Sequence, residues 1–358
     1  MENLERSYID FDEIISEGLH TGEHNFPHLG QSSYSQPVRI LTFENVVCTP
    51  HGVFLPCKGR WILETTLAGN LTHRPPADRV GLLKAAGENL DWAPDMSGLP
   101  ENKETLFWGS YPWDSNYQHF FIETLPRIFL GRNYLPEQAP LRYVVSEPSF
   151  IPDCLRQIGL WGNQLLTKSA FKGARRVARV HVAAPIYVNM LRLKSQLLTD
   201  CVRLMTELHY GPLSGPENIY VGRRVHDENH GAGRILLNET MVSGTLAERS
   251  FETLYMEELS MSEKIATLAS ARQAVMPIGA GLVNLCFSPK LERLLILQHP
   301  HLNLPGQWFE NLLKMFNNVS VQALVVNVDE TKHAQNLKHA PFTVDTDRMV
   351  TALDNWGL

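Results

Sequence analysis

Residues 276–287, MPIGAGLVNLCF, constrain this chain more than any other stretch. An apolar run, Ala274 to Met276, enters a Gly279-Ala280-Gly281 turn, and Leu282, Leu285 and Cys286 follow at helical spacing. A strand that ends in a glycine turn and restarts as a helix is the unit from which parallel α/β sheets are built. The junction also suits an anion. Glycines admit close backbone approach, and the first N–H groups of a helix lack intrahelical partners and carry about +0.5 of a charge. A tight turn with no ligand fits the same residues.

The neighbouring sequence extends the alternation. Ile219 to Val221 and Phe251 to Tyr255 read as strands, and Ser260 and Glu263 have capping-box spacing ahead of Ile265, Leu268 and Ala269 on one helix face. Leu294 to Leu297 reads as another strand. Such an order predicts a parallel sheet with right-handed crossovers and ligands at the carboxyl ends of its strands. The N-terminal half opens differently. Short β patterns (Ile40 to Phe43, Asn45 to Cys48, Gly52 to Leu55, Trp61 to Leu63) separated by turn residues predict a β-meander over 38–67. Strand and helix patterns then alternate from Phe107 to Ala183. The densest cluster of helix and strand breakers, Tyr210 to Pro216, marks the expected boundary. The expected organisation is α/β, with a first domain over 1–210, a second over 211–335, and a tail over 336–358 that forms a helix packing back on the first domain.

With 44% apolar and 20% charged residues the chain has ordinary globular composition. Its apolar stretches fall short of the roughly 18 residues a membrane span needs, and its acidic, polar start is unlike a signal peptide, so a cytoplasmic location is expected. Five widely spaced cysteines, with no Cys-x-x-Cys pair, read as free thiols. A net charge of -6 argues against a nucleic-acid binder. Between Asp153 and Asp200, however, eight basic residues (Arg156, Lys168, Lys172, Arg175, Arg176, Arg179, Arg192 and Lys194) occur with no acid. That segment fits either a peripheral contact with an anionic membrane surface or acceptor, or a solvated strand face.

Two stretches carry chemistry. After the strand at 219–221 come Arg223 and Arg224, a polar Gly-rich loop, and then Arg234 to Glu239; guanidinium forks at a strand end can clamp phosphate oxygens. In the first half, residues 116–127, NYQHFFIETLPR, place Asn116, His119, Glu123 and Arg127 on one helical stripe. Pro126 should kink or restart that helix, because it has no N–H to offer the preceding turn. Trp108, Tyr111, Trp113 and Tyr117 lie close by and can stack on a sugar or fill the core.

Taken in order, the arginines, the capped helix and the Gly-Ala-Gly-Leu-x-Asn turn resemble the nucleotide-sugar domain of glycosyltransferase family 61. The 116–127 stretch is similar to that family's Asn-x-x-His-x-x-x-Asp-x-Leu-Pro signature, with Glu123 in place of Asp. The likeness runs roughly from Leu41 to Pro300. It implies a two-domain GT-B-like architecture of Rossmann-like domains and an inverting transfer that needs no metal and no cofactor. The sugar would come from a nucleotide sugar, UDP-linked in expectation, and pass to a glycan or lipid-linked saccharide during surface-polysaccharide synthesis. It further implies His119 and Glu123 as catalytic residues and Asn116, Trp113 and Arg127 as acceptor contacts. Donor contacts would be Arg223, Arg224, Arg234, Asn238, Gly279, Ala280, Gly281 and Asn284. One departure stands out: Ile278 occupies the position before Gly279 where family members usually have His. That exchange leaves open a catalytically inactive glycan- or nucleotide-binding relative.

Competing signals are weak. Asp10 with Asp12 and Asp345 with Asp347 have the spacing of metal-dependent transferases, but the first pair lies in an unpatterned start and the second beside a helix start. His226 and His230 lack a third ligand nearby. A nicotinamide site is disfavoured because the glycine turn comes late in its domain and lacks a third Gly.

Overall fold

The computed structural model of the chain describes residues 8–26, 38–62, 65, 94–111, 113–135, 141–171, 173–184, 196–223, 235–302, 306–329 and 337–356. It divides into two compact units, and the division falls after Cys201, inside the helix Gln196–Glu207. The breaker cluster from Tyr210 to Pro216 therefore follows the end of a helix, which Gly and Pro cannot continue, and does not itself separate the units.

The first unit is built on one mixed sheet. Its strands are β1 (Tyr8–Ile9), β2 (Gly22–Asn25), β3 (Arg39–Thr49), β4 (Gly52–Leu55), β5 (Arg60–Ile62), β6 (Glu101–Trp108), β7 (Leu141–Val145), β8 (Leu165–Thr167) and β9 (Arg175–Ala183). Their order is β1-β5-β4-β3-β9-β6-β7-β8, with β2 also paired to β3. The β3-β4-β5 portion is the antiparallel meander. The break expected between Phe43 and Asn45 is not a strand end. Asn45 takes a left-handed conformation, φ 54°, which Asn tolerates better than most residues, and β3 keeps the same register against β9 on both sides of it.

While β1 and β2 pair with the meander strands β5 and β3, four further strands, β8-β7-β6-β9, are parallel to one another. In their own chain order they run 3-2-1-4, the order of half a doubly wound sheet. Phe43, Val46, Leu106, Trp108, Val144, Phe171, Val177 and Val180 bury the sheet's core. The crossover from β6 to β7 is helical from Tyr117 to Tyr134 and includes a five-residue π-turn, Phe120–Thr124, where Leu125 N–H reaches back to the Phe120 carbonyl. The restart expected at Pro126 takes this form. The wider turn precedes a fresh helix, Leu125–Tyr134, in which the proline sits at the start, where a missing N–H costs least. Gly131 of that helix lies against Phe107, and a Cβ there would overlap the ring. Gly131→Ala should therefore lower stability by about 1–3 kcal/mol, seen as a reduced denaturant midpoint with an unchanged slope.

The second unit holds a five-stranded, wholly parallel sheet of β10 (Asn218–Val221), β11 (Glu252–Leu254), β12 (Gln273–Pro277), β13 (Arg293–Gln298) and β14 (Ser320–Val325). The spatial order is β11-β10-β12-β13-β14. In chain order this is 2-1-3-4-5, so the winding reverses between β10 and β12. Open α/β sheets bind ligands outside the carboxyl ends of the two strands at such a reversal. Two short strands, β15 (Asn327–Val328) and β16 (Phe342–Thr343), form a separate antiparallel pair. Helix Met261–Leu268 carries the expected capping box, Ser260 with Glu263, and buries Met261, Ile265 and Leu268.

The C-terminal helix Thr346–Asp354, capped by Asp345, corrects one expectation. Its Met349, Ala352 and Leu353 join Val242 and Leu246 of helix Glu239–Ala247 in the second unit's own core, so the tail belongs to that unit and not to the first. All five cysteines are free thiols, four of them buried and Cys57 exposed. Among the described residues no helix is long and apolar enough to cross a membrane.

Candidate functional site

In the first unit the chemistry gathers where the β6-to-β7 crossover begins. Asn116 caps the helical segment, its side chain accepting from the Gln118 N–H at 3.0 Å. One turn on, His119 Nδ1 lies 3.2 Å from Glu123 Oε2, and both side chains are partly exposed. The carboxylate places the ring proton on Nδ1 and leaves Nε2 as the acceptor, the tautomer a general base needs. Burial pulls the His119 pKa down, but the hydrogen bond and charge of Glu123, with Asp114 behind, outweigh it and hold the imidazole above its ordinary 6.5. The Trp113 ring, 52% exposed, lies 5.9 Å from the His119 ring, which keeps it available for stacking on a sugar. Trp108 and Tyr111 are buried, and Tyr117 packs against Phe121 and Phe150.

Arg127 departs from the expected stripe. It is 1% exposed, stacks its guanidinium over the Tyr111 ring at 5.1 Å and donates to the Ala183 carbonyl at 2.7 Å. The π-turn Phe120–Thr124 widens the helical path ahead of Arg127, and a stripe drawn at α-helical spacing no longer holds across it. Arg127 ties the helix to the end of β9 as a buried brace.

In the second unit, Arg223 follows β10 and Gly279 follows β12, the two strands at the winding reversal. The Arg223 guanidinium lies directly over Gly279, where a Cβ would overlap Nη2. Gly279 is extended, with φ 165°, so close approach and not backbone strain is what requires a glycine. Beneath the arginine, Tyr220 donates to Glu239 Oε2 at 2.8 Å and Arg223 N–H donates to Oε1 at 3.3 Å. Gly222 has no room for a Cβ against that carboxylate. Burial lowers the Arg223 pKa, opposed by Glu257 and Glu239, and raises that of Glu239 above the usual carboxylate value. The cluster is a cation held at a strand end by neighbouring acids. That placement suits a group that must face an incoming anion in a partly desolvated site.

The remaining expected donor contacts divide. Ala280 and Gly281 are half-buried at the start of Ala280–Phe287, which is a 3₁₀ helix and not the expected α-helix. Its N–H groups therefore repeat three to a turn. Asn284 is buried and donates to the Gly281 carbonyl within that helix at 3.0 Å. Asn238 uses both ends of its amide on Val344, donating at 2.8 Å and accepting at 3.0 Å, and so clips the terminal segment to the start of a helix. Arg224 and Arg234 lie outside the described residues, as do Lys172, Arg192, Lys194, His226 and His230. Ile278 is 2% exposed, its N–H donating to the Leu297 carbonyl. Asp10 and Asp345 are both helix caps, and among the described residues no three metal-ligating side chains cluster.

Sequence reasoning missed Asp114, Glu239 and their partners. Asp114 reads as an ordinary turn residue ahead of a helix, and Glu239 as the first acid of another; only burial sets them apart. A family model described as Glycosyltransferase 61 matches residues 117–295, half of the chain. The match spans both the His119–Glu123 turn and the Gly279 junction. No curated protein matches the chain.

Proposed function

The chain belongs to glycosyltransferase family 61, and on that premise we propose that it moves a sugar from a nucleotide sugar, UDP-linked, onto a glycan or lipid-linked saccharide with inversion at the anomeric carbon. The acceptor hydroxyl loses its proton to His119 Nε2 as its oxygen attacks, and the carbon–oxygen bond to the diphosphate breaks on the opposite face. Glu123 orients the imidazole and stabilises its charged form. Arg223 and the backbone of Gly279 to Gly281 receive the negative charge that develops on the leaving diphosphate. Electrostatic stabilisation of that kind needs no divalent ion, and activity should survive EDTA. The division of labour is that of GT-B enzymes, with acceptor on the first unit and donor on the second, working at the cytoplasmic face of a membrane.

The observation that carries this proposal is the Arg223 guanidinium over Gly279 at the winding reversal. It also supports compensation for Ile278, since a guanidinium reaches Gly279 from beyond the neighbouring strand. A thermal-shift screen against UDP-, GDP- and CMP-sugars tests the proposal, since a donor at 100 times its Kd stabilises the native state by about 2.7 kcal/mol. No shift with any of them would end it. Ile278, buried and apolar, favours a second reading, a binding relative without turnover. A donor that shifts the melting point but is neither hydrolysed nor transferred would select that alternative.

A further inference from the structure

Asp114 is 1% exposed and lies five residues before His119, outside every motif of the sequence. Its carboxylate gathers hydrogen bonds from three parts of the first unit. Oδ2 accepts from the Tyr111 N–H at 2.6 Å, from Ser146 Oγ at 2.9 Å and from Ser110 Oγ at 3.2 Å. Oδ1 accepts from Thr124 Oγ1, and the two serine oxygens lie 2.8 Å apart on the same carboxylate oxygen. Ser110 and Tyr111 follow the end of β6, Ser146 follows the end of β7, and Thr124 closes the π-turn. One carboxylate thus joins two adjacent parallel strand ends to the turn that displays His119 and Glu123.

We propose that Asp114 is the positioning residue of this site: by clamping Thr124 to the ends of β6 and β7 it fixes the π-turn that follows His119 and carries Glu123, and so sets where that pair stands over the strand ends. An α-helical path would satisfy Thr124 differently. The i to i+5 bond from Leu125 to Phe120 inserts an extra residue into the turn, and such turns persist where surrounding contacts over-determine them. Asp114 supplies that determination from below, and as a nearby acid it also favours the charged imidazole of His119. The titratable groups facing His119 are Glu123 on its own turn and Asp114 beneath; Lys168 faces Asp114. Burial raises the Asp114 carboxyl, opposed by its hydrogen-bond donors and by Lys168.

The proposal rests on His119 as the base, and its test is chosen to fail separately from that assignment. In Asp114→Asn the His119 imidazole, followed by its ring C–H resonance, should titrate at lower pH than in the parent. Turnover with the donor selected by thermal shift should fall roughly 10- to 100-fold, the cost of displacing a catalytic group by about an ångström, with the donor KM unchanged. Thr124→Val, which removes a single donor and keeps the shape, should lower turnover several-fold and lower the same titration by less. A melting point that drops while titration and turnover keep their parental values in both variants would overturn the proposal and leave Asp114 a structural residue only. Should Asp114→Asn fail to fold, Thr124→Val decides alone by the same two readouts. Normal turnover in His119→Ala, beside a His119 titration that still moves down in Asp114→Asn, would instead remove the base assignment and leave the clamp standing.

Discussion

His119→Ala should lower turnover about 100- to 10,000-fold while leaving the melting point almost unchanged. The first figure is the contribution of a positioned general base, and the second follows because an i, i+4 pair near the surface contributes only about 0.3–0.5 kcal/mol. Steady-state rates with donor and acceptor, beside a denaturation curve, separate the two effects cleanly. The pH dependence adds an independent check. The base must be neutral to act, so kcat/KM should fall on the acid side below the His119 pKa, and that limb should lie above 6.5, the ordinary histidine value. Glu123→Gln removes the partner that raises it, and the limb should move down. Stability has the opposite sign: a histidine raised by folding stabilises the protein at low pH, and that contribution is lost as pH rises through its folded value. A limb that stays fixed in Glu123→Gln, or near-parental turnover in His119→Ala, would sink the base assignment.

Local patterns made much of this molecule legible before any coordinates. The strand at 274–276, found as Gln273–Pro277, with its glycine turn, the Ser260 capping box and the His119–Glu123 spacing are each set by contacts within one turn or one strand. Where the residues fell out of register, a longer-range influence intervened. The stripe ending at Arg127 assumed 3.6 residues per turn, and the π-turn held by Asp114 and Thr124 broke that period. Asn238, a donor contact by the family resemblance, bonds through its amide to Val344, more than 100 residues away. Asp114 was invisible for the same reason. Its partners come from the ends of β6 and β7 and from a helical turn, and no spacing rule relates Ser110, Thr124 and Ser146. The winding reversal between β10 and β12 likewise depends on strand order, which an alternating pattern leaves open.

That reversal gives the second large effect. Arg223→Ala should weaken donor binding by about 1.5–3 kcal/mol, the range for hydrogen bonds to charged groups, which corresponds to roughly 10- to 150-fold in Kd. Gly279→Ala should do comparable harm with the arginine still present, because the added methyl would occupy the place of Nη2 and push the guanidinium off the turn. The two variants differ in stability and pH response. Removing Arg223 leaves Glu239 facing Glu257 without the cation that lowers it, so its carboxyl rises further. An acid raised by folding binds its proton more tightly in the native state, so Arg223→Ala should lose stability as pH climbs from the unfolded carboxylate range through the raised value. Adding Glu239→Gln to Arg223→Ala should remove that pH dependence without restoring donor affinity. Calorimetry with the selected nucleotide sugar, and with UDP as the sugar-free probe, reads the affinities; melting curves between pH 5 and 8 read the stabilities. Parental affinity in both Arg223→Ala and Gly279→Ala would remove the diphosphate from this strand end. Restored affinity in the double variant would mean that Arg223 serves only to neutralise Glu239.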